Sequence, residues 1–524
     1  MLVNNFLENS SVRFGAKTAL ICGTQRYSYQ ELEVSANRMG HFLIEEGLRR
    51  QDRVAVYLEN SGEAVISIFG ALKAGGVFLV INPQVKPPSL QYIFNDCNVR
   101  ILVTSQRLFS ASADRLQQCP DLRQVMIVNN SGNHDGKNQA GPWTMQNFHA
   151  ALNAHPDKPP ESRCIDIDLA SLIYTSGSTG NPKGVMLTHL NMVSAANSIT
   201  RYLENTQDDI VLSCLPLSFD YGLYQLMMAF RFGGTLILER SFTYPYKVLD
   251  LMAREKVTGF PLVPAMAAIL LRLKNVNEIR LPHLRYITNT AQALPVKHIL
   301  LLAEMFPTTR IFSMYGLTEC KRVSYLPPAE LLRRPASVGK AMPNTETWIV
   351  DTQGQKIEEP WETGELVVRG ANVMKGYWNL PDETAQRLRP GVYPGESVLY
   401  TGDLFQMDEE GYLYFVSRRD NMIKTGGELV SPKEVETVLY ELPDVTEAAV
   451  VAVDDDILGR AIKAVVVIPE ESLLTEMDII KHCSRKMENF KVPKHVDIRH
   501  NPLPKTVTGK IAGRELYTLQ EDKP

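Results

Sequence analysis

Residues 53–82 set two apolar runs around a helical segment, and this rhythm limits the fold more than any other stretch of the chain. RVAVYLEN (53–60) reads as a buried strand, AVISIFGALKAGG (64–76) as a helix closed by a glycine pair, and VFLVIN (77–82) as the next strand. Strands that alternate with helices predict a parallel sheet covered by helices on both faces. LEVSANRMGHFLIEEGL (32–48), ending in Gly47, supplies another helix. A second round begins at LASLIYTSGSTG, with further strand candidates in DDIVLSCLPLS (208–218), TLILER (235–240) and LRYITNT (284–290). The polar stretch at 129–142 reads as a surface loop.

From 345 to 416 the texture changes. TETWIVD, GELVVRG and GYLYFVS are short alternating segments split by Gly, Pro and Asp, which predicts an antiparallel β subdomain. A boundary is expected within SRRDNMIKTGGE (417–428). Beyond it a small α+β unit is expected: helix SPKEVETVLYEL, strands EAAVVAV and KAVVVIP, helix EMDIIKHCSRKM, then a long loop ending in PLPKTVTGKIAGREL.

Bulk properties exclude several classes. At 524 residues the chain has material for three or four compact units. A formal net charge of −4, with no Lys/Arg block, argues against a nucleic-acid partner. No run of about 18 uncharged apolar residues occurs, so no transmembrane segment is expected, and the N-terminus lacks the pattern of a secretory signal. The seven cysteines are widely spaced, odd in number and free of any CxxC pair. That pattern fits reduced thiols and a cytoplasmic protein. Cys320 is expected to pack as a small hydrophobe.

The chemistry concentrates first in Tyr174-Thr175-Ser176-Gly177-Ser178-Thr179-Gly180-Asn181-Pro182-Lys183-Gly184, after the apolar run ASLI. Hydroxyls, glycines and one lysine in such density suit a loop that wraps anionic oxygens with N–H and O–H donors. The P-loop pattern fails, because Lys183 is followed by Gly184 where Ser or Thr is required. Helical residues, NMVSAANSIT, follow, so a strand–loop–helix context is expected.

YTSGSTGNPKGVMLTH resembles the signature of the acyl-adenylate-forming superfamily, which includes acyl-CoA synthetases, nonribosomal peptide adenylation domains and firefly luciferase. Further family-like motifs follow in order across nearly the whole chain. The resemblance implies an α/β fold with a β-subdomain. A large N-terminal domain (1–419) would hold two doubly wound parallel-type sheet subdomains and a β-rich subdomain. A small mobile α+β C-terminal domain (420–524) would turn about a hinge near Asp420.

The same resemblance implies residue roles. Ser176, Gly177, Ser178, Thr179, Gly180 and Lys183 would hold the ATP phosphates. In Tyr315-Gly316-Leu317-Thr318-Glu319 the aromatic ring would pack on adenine, Thr318 would touch the α-phosphate and Glu319, with Thr175, would lie at Mg²⁺. Asp403, in Tyr400-Thr401-Gly402-Asp403, would take the ribose hydroxyls, as a carboxylate can. Arg418 would contact ribose or phosphate, although Ser417 stands where the pattern has Gly. Lys424, Gly426 and Gly427, in KTGGE, would swing in with the thiol-bearing arm. Lys510, in PKTVTGK, would be the catalytic cation that neutralises charge as the carboxylate attacks the α-phosphorus.

The acyl pocket is expected from Phe219, Asp220, Tyr221 and Gly222, from Val263 to Met266, and from the segment 287–295 that includes Ala291 and Gln292. Much of this is apolar and suits an aliphatic or aromatic acid. Asp220 leaves two readings open: a partner for a substrate amine, or a helix-start residue bonded to backbone. Ala291 and Gln292 also depart from the family's Gly-rich strand end.

The resulting expectation is an AMP-forming carboxylate–CoA ligase that uses ATP, Mg²⁺ and CoA on a fatty or other apolar acid. The alternative is a freestanding enzyme that loads a carrier-protein phosphopantetheine or an amine. A catalytically dead nucleotide sensor is disfavoured by the presence of Lys183, Glu319, Asp403 and Lys510 together.

Overall fold

The computed structural model describes residues 1–128, 141–175, 181–273, 280–290, 293–425, 428–455, 458–505, 511 and 516. Two large sheets organise residues up to about 378, as the strand–helix rhythm predicts. In the first, strands Val77–Val80, Arg53–Tyr57, Val99–Ser105, Gln124–Val128 and Thr144–Asn147 lie side by side and parallel. In the second, Thr18–Cys22, Thr235–Leu238, Ile210–Ser213, Gly259–Leu262, Tyr286–Asn289 and Arg310–Tyr315 form a parallel run with antiparallel edges.

Helices Tyr29–Glu45 and Gly62–Lys73 pack on each other between the sheets, the first against Thr18–Cys22 and the second against Arg53–Tyr57 and Val77–Val80. Helix Gly62–Lys73 is buried along its whole length and is capped by Ser61. Its terminal Lys73 is neutralised by Glu8 Oε1 at 2.7 Å and Glu33 Oε1 at 2.8 Å, since a cation so deep needs a partner. Helix Tyr29–Glu45 starts at a reciprocal Ser28–Glu31 capping box and buries Leu32, Ala36, Met39, Phe42 and Leu43 at helical spacing.

The antiparallel β region also forms as expected. Thr345–Val350, Gly364–Gly370, Ser397–Met407 and Leu413–Arg418 pair antiparallel in one sheet. From Ile423 onward a separate core gathers Val430, Val435, Leu439, Val450, Ala464, Val466, Ile479 and Cys483. There Glu447–Asp455 and Gly459–Val467 pair antiparallel beneath helices Pro432–Leu439 and Glu476–Lys486.

Two local expectations need correction. The Ser/Thr/Gly loop does not lead into a helix: Thr175 pairs with Lys183 across an antiparallel ladder between Leu169–Thr175 and Lys183–Thr188. Val185 and Leu187 alternate into the core, so the chain makes a strand before helix His189–Tyr202. The stretch read as a long C-terminal loop contains strand His495–Arg499, parallel to Gly459–Val467. Only Val496 and Ile498 carry its apolar alternation, which is too short to stand out in sequence.

All seven cysteines are free, and Cys320 is fully buried, as its packing role requires. Among the described residues no helix is long and apolar enough to cross a membrane.

Candidate active site

The sheet ends bring together residues that are far apart in sequence. Tyr315 closes strand Arg310–Tyr315, and its hydroxyl donates to Asp403 Oδ2 at 2.6 Å. Asp403 faces Arg418 across the ladder of the neighbouring sheet, with Arg418 Nε 3.0 Å from Oδ1. Oδ1 takes no well-directed hydrogen bond, although it is buried. Burial raises the Asp403 carboxyl above its usual range, against the pull of Arg418 and the Tyr315 hydroxyl. Gly402, before it, sits at φ 72°, and a Cβ there would meet Arg387 Nη1 at 2.0 Å. Phe405 packs edge-on against Tyr315 at 4.8 Å and fixes its ring.

A second set adjoins the first through Glu319, which lies close enough to raise Asp403. Tyr377 donates its hydroxyl to Glu319 Oε1 at 2.7 Å, and Lys183 Nζ stands 5.8 Å from the Tyr377 ring centroid. Lys183 also reaches Glu383 Oε1 at 4.0 Å. Thr175, at the other side of the hairpin mouth, points its hydroxyl at the Lys183 carbonyl at 3.5 Å. Gly316 lets the backbone fold back on itself: a Cβ there would be 2.2 Å from the Lys321 carbonyl oxygen. Thr318 is half-buried in the same turn. Ser176, Gly177, Ser178, Thr179 and Gly180 lie outside the described residues.

Deeper in, helix Asp220–Phe232 starts after Phe219, which makes no side-chain cap. Asp220 neither caps that helix nor stays open for an amine: its carboxylate forms a buried ion pair with Lys321. Tyr221 donates its hydroxyl to the Thr288 carbonyl at 2.9 Å, and Gly222 packs on the Leu215–Pro216 backbone. Arg322, also buried, reaches Thr290 Oγ1 at 3.3 Å and lies 5.0 Å from the Tyr221 ring centroid. Val263 and Met266 are buried nearby in sequence, at the start of helix Pro264–Arg272. Ala291 and Gln292 lie outside the described residues.

The C-terminal unit abuts this wall. Lys297 Nζ donates to the Pro443 carbonyl at 2.8 Å, and the His298 ring meets Tyr440 edge-on at 5.7 Å. Burial lowers His298 to about 4, with nearby Lys297 and Arg272 acting the same way. A cleft between the two parts is lined by Ala265 and Ala293 on one side and by Lys505 and Ile511 on the other. Lys505 and Ile511 form an antiparallel bridge, and Lys505 Nζ pairs with buried Glu447 Oε1 at 2.8 Å. Lys510, between them, lies outside the described residues, as do Gly426 and Gly427. Lys424 is exposed on the hairpin Ile423–Thr425/Glu428–Val430.

Residues 7–378 match the family model described as AMP-binding enzyme, and residues 434–510 match the AMP-binding enzyme C-terminal domain. The chain belongs to the AMP-binding enzyme family. This AMP-binding enzyme is 31% identical, over 540 aligned residues, to the long-chain-fatty-acid–CoA ligase of Bacillus subtilis (strain 168), covering 99% of this chain and 94% of that one. It is 31% identical to the indoleacetate–CoA ligase of Aromatoleum aromaticum, covering 96% and 95%. Among solved structures, the anthranilate CoA ligase AuaEII in complex with anthranoyl-AMP superposes with a TM-score of 0.88 at 27% identity, covering 99% and 97%. ATP-bound MatB from Rhodopseudomonas palustris gives 0.87 at 27% identity, covering 100% and 99%, whereas apo MatB gives 0.78. The chain is thus an ATP-dependent, AMP-forming ligase of the acyl-CoA synthetase type, acting on a carboxylic acid and CoA.

Four features of this AMP-binding enzyme's site escaped the sequence reading. Tyr377 sits in Gly-Tyr-Trp, where only the aromatic pair hinted at a contact. Glu365 binds the Gly402 amide at 2.8 Å and Arg419 at 2.6 Å, steadying the turn before Asp403. Lys321 and Arg322 belonged to none of the motifs. His298 carried no motif at all. The donor set fits Mg²⁺ held with a nucleotide, which needs one or two carboxylates plus phosphate oxygens. Tyr377 occupies Glu319 Oε1, and the strand of Tyr377 pairs with Lys183–Thr188, the strand whose ladder ends at Thr175–Lys183.

Proposed function

We propose that this enzyme adenylates an acid with an apolar body, fatty or aromatic, at the Asp403–Glu319 wall and then passes the acyl group to CoA. The acid carboxylate attacks the α-phosphorus of ATP, the bond to the β-phosphate oxygen breaks, and pyrophosphate leaves. The CoA sulfur then attacks the acyl carbon and AMP departs. One observation carries the reading: Thr175, Lys183, Glu319, Asp403 and Arg418 are joined into one surface by Tyr377 and Tyr315.

In this reading Asp403 Oδ1, buried and without a directed donor, accepts from ribose while Arg418 holds the carboxylate charged. Tyr315 and Gly316 flank the base, and Thr318 meets the α-phosphate. Residues 176–180 and Lys183 wrap the outer phosphates. Glu319 and Thr175 hold Mg²⁺, which offsets phosphate charge when bound. Lys510 neutralises the attacking carboxylate. Support comes from its flanks, Lys505 and Ile511, which line the cleft opposite Ala265 and Ala293. The better superposition on ATP-bound than on apo MatB agrees with the first half-reaction being the posture described.

We place the domain boundary at 419/420, because the core of the large part ends by Phe415 and the next begins at Ile423. Asp420, exposed in the turn Arg419–Asn421, serves as the hinge, and rotation there brings Lys424, Gly426 and Gly427 to the adenylate. The relatives named above are CoA ligases, so the carrier-loading alternative gains no support from them.

The test is product analysis with ATP, Mg²⁺, CoA and a panel of acids. AMP, pyrophosphate and acyl-CoA in equal amounts are expected. ADP and phosphate would contradict the mechanism, and adenylate released only to an added carrier protein would favour the alternative.

A further inference from the structure

We infer that the acid carries a second carboxylate, remote from the reacting one, and that Arg322 receives it. The inference rests on the ligase reading of this same site and narrows its substrate class.

Lys321 and Arg322 follow the Tyr315–Glu319 segment after one residue, Cys320, and both are buried, at 2% and 3% exposure. Two consecutive basic side chains rarely turn inward together. Here Lys321 adopts φ 66°, a left-handed backbone that a lysine takes only under constraint. Lys321 is accounted for by Asp220 and by the Tyr224 ring 5.3 Å away. Wherever the shared proton sits, that pair is neutral as a unit.

Arg322 has no such account. Among the described residues no carboxylate lies within ion-pair distance of it. Asp220 is engaged by Lys321, and Glu319 by Tyr377. Its Nη1 makes two long bonds, to Thr290 Oγ1 at 3.3 Å and to the Lys321 carbonyl at 3.4 Å. The Tyr202 hydroxyl neighbours it, and the Tyr221 ring lies 5.0 Å away. Its Nε is buried with no acceptor, and so is the hydroxyl of Tyr224, which is close enough to feel the guanidinium charge.

A guanidinium cannot shed its proton to escape burial. Left unpaired it costs several kcal/mol, and its flat fork matches a carboxylate or a phosphate, of which an acid substrate brings the first. Tyr221, Thr288 and Thr290 surround it on the expected acyl wall, so the anion that Arg322 lacks among the described residues comes, in this inference, with the acyl group. The same geometry disfavours amino acids: Asp220 is already occupied, and a substrate ammonium would face Arg322.

The test compares kcat/KM for matched monoacids and diacids over short, medium and long straight chains, together with benzoate and its carboxy-substituted forms. Pyrophosphate release and acyl-CoA formation are both read. The wild type should prefer a diacid over its matched monoacid by about 100-fold or more. Arg322→Met should abolish that preference by slowing the diacid, with the KM for ATP unchanged. Arg322→Lys, which keeps the charge but loses the fork, should retain part of it. A wild type that uses monoacids as well as or better than diacids overturns the inference and leaves the ligase reading standing. So does a preference that survives Arg322→Met. If Arg322→Met does not fold, the wild-type comparison decides alone. No pyrophosphate release with any acid overturns the ligase reading and this inference together.

Discussion

The nucleotide wall and the acyl wall of this enzyme treat buried charge in opposite ways. At the nucleotide wall each buried carboxylate has a protein cation: Asp403 has Arg418 and Glu365 has Arg419. At the acyl wall Asp220 pairs with Lys321, and buried Arg322 has no carboxylate within ion-pair distance among the described residues. In the proposed function the first wall takes Mg-ATP, a ligand that comes with its own counter-ion, and its side chains are balanced without it. In the inference drawn above, the second wall is balanced only when the acid is in place. On the proposed reading, the surplus charge marks where the acid is selected.

The most forceful way to break this comparison is to unbalance the acyl wall further. Asp220→Asn leaves Lys321 buried without a partner, and about 3–5 kcal/mol of stability should be lost. Adding Lys321→Met should recover most of it, because the pair is then replaced by uncharged groups of similar size. Chemical denaturation of both variants checks this. A single variant as stable as wild type would show that Lys321 is not held by Asp220.

Acid attacks the same side of the molecule through His298, which is 7% exposed against Tyr440. Its folded value of about 4 lies below its ordinary 6.5, so the fold prefers the neutral ring. The stabilisation is complete above pH 6.5 and is lost as pH falls toward 4. It amounts to about 3 kcal/mol in all and about 2 kcal/mol by pH 5. Measured by denaturation, the loss of stability between pH 7 and 5 should be smaller by about 2 kcal/mol in His298→Gln than in wild type, the remainder including buried His189, which burial also lowers to about 4. An equal loss in both proteins would remove His298 from the account.

The nucleotide wall should respond by binding, not by stability. Asp403→Ala removes the ribose acceptor and should lower kcat/KM for ATP by about 100-fold, or 2–3 kcal/mol, while leaving the preference among acids intact. Steady-state kinetics with two acids tests both halves of that statement. The smallest effect belongs to exposed pairs such as Arg107–Glu59 at 3.2 Å, where Arg107→Ala should change stability by no more than about 0.5 kcal/mol. A larger change would mean that surface charge matters as much as buried charge.

The runs that the sequence reading assigns to the nucleotide have chemical meaning in themselves, and two of them, Tyr315–Glu319 and Asp403, meet in the structure through the Tyr315 hydroxyl, while residues 176–180 lie outside the described residues. The fold was legible where helices and strands alternate at 53–82. The hairpin after the loop was not, because Val185 and Leu187 are too few to signal a strand before the helix takes over. Lys321 and Arg322 were illegible for a different reason. A Lys-Arg pair reads as solvated charge, and only the tertiary approach of helix Asp220–Phe232 and Thr290 buries it. Asp220 was noticed, but its two open readings both assumed a partner other than a lysine 101 residues away.

The most direct test of the account separates the two half-reactions in Lys510→Ala. Single-turnover pyrophosphate release from ATP and acid should fall by about 100- to 1,000-fold, because the cation that neutralises the attacking carboxylate is gone. Acyl-CoA formation from a supplied acyl-adenylate should stay within a few-fold of wild type. A first step that proceeds unchanged without Lys510 would contradict the mechanism.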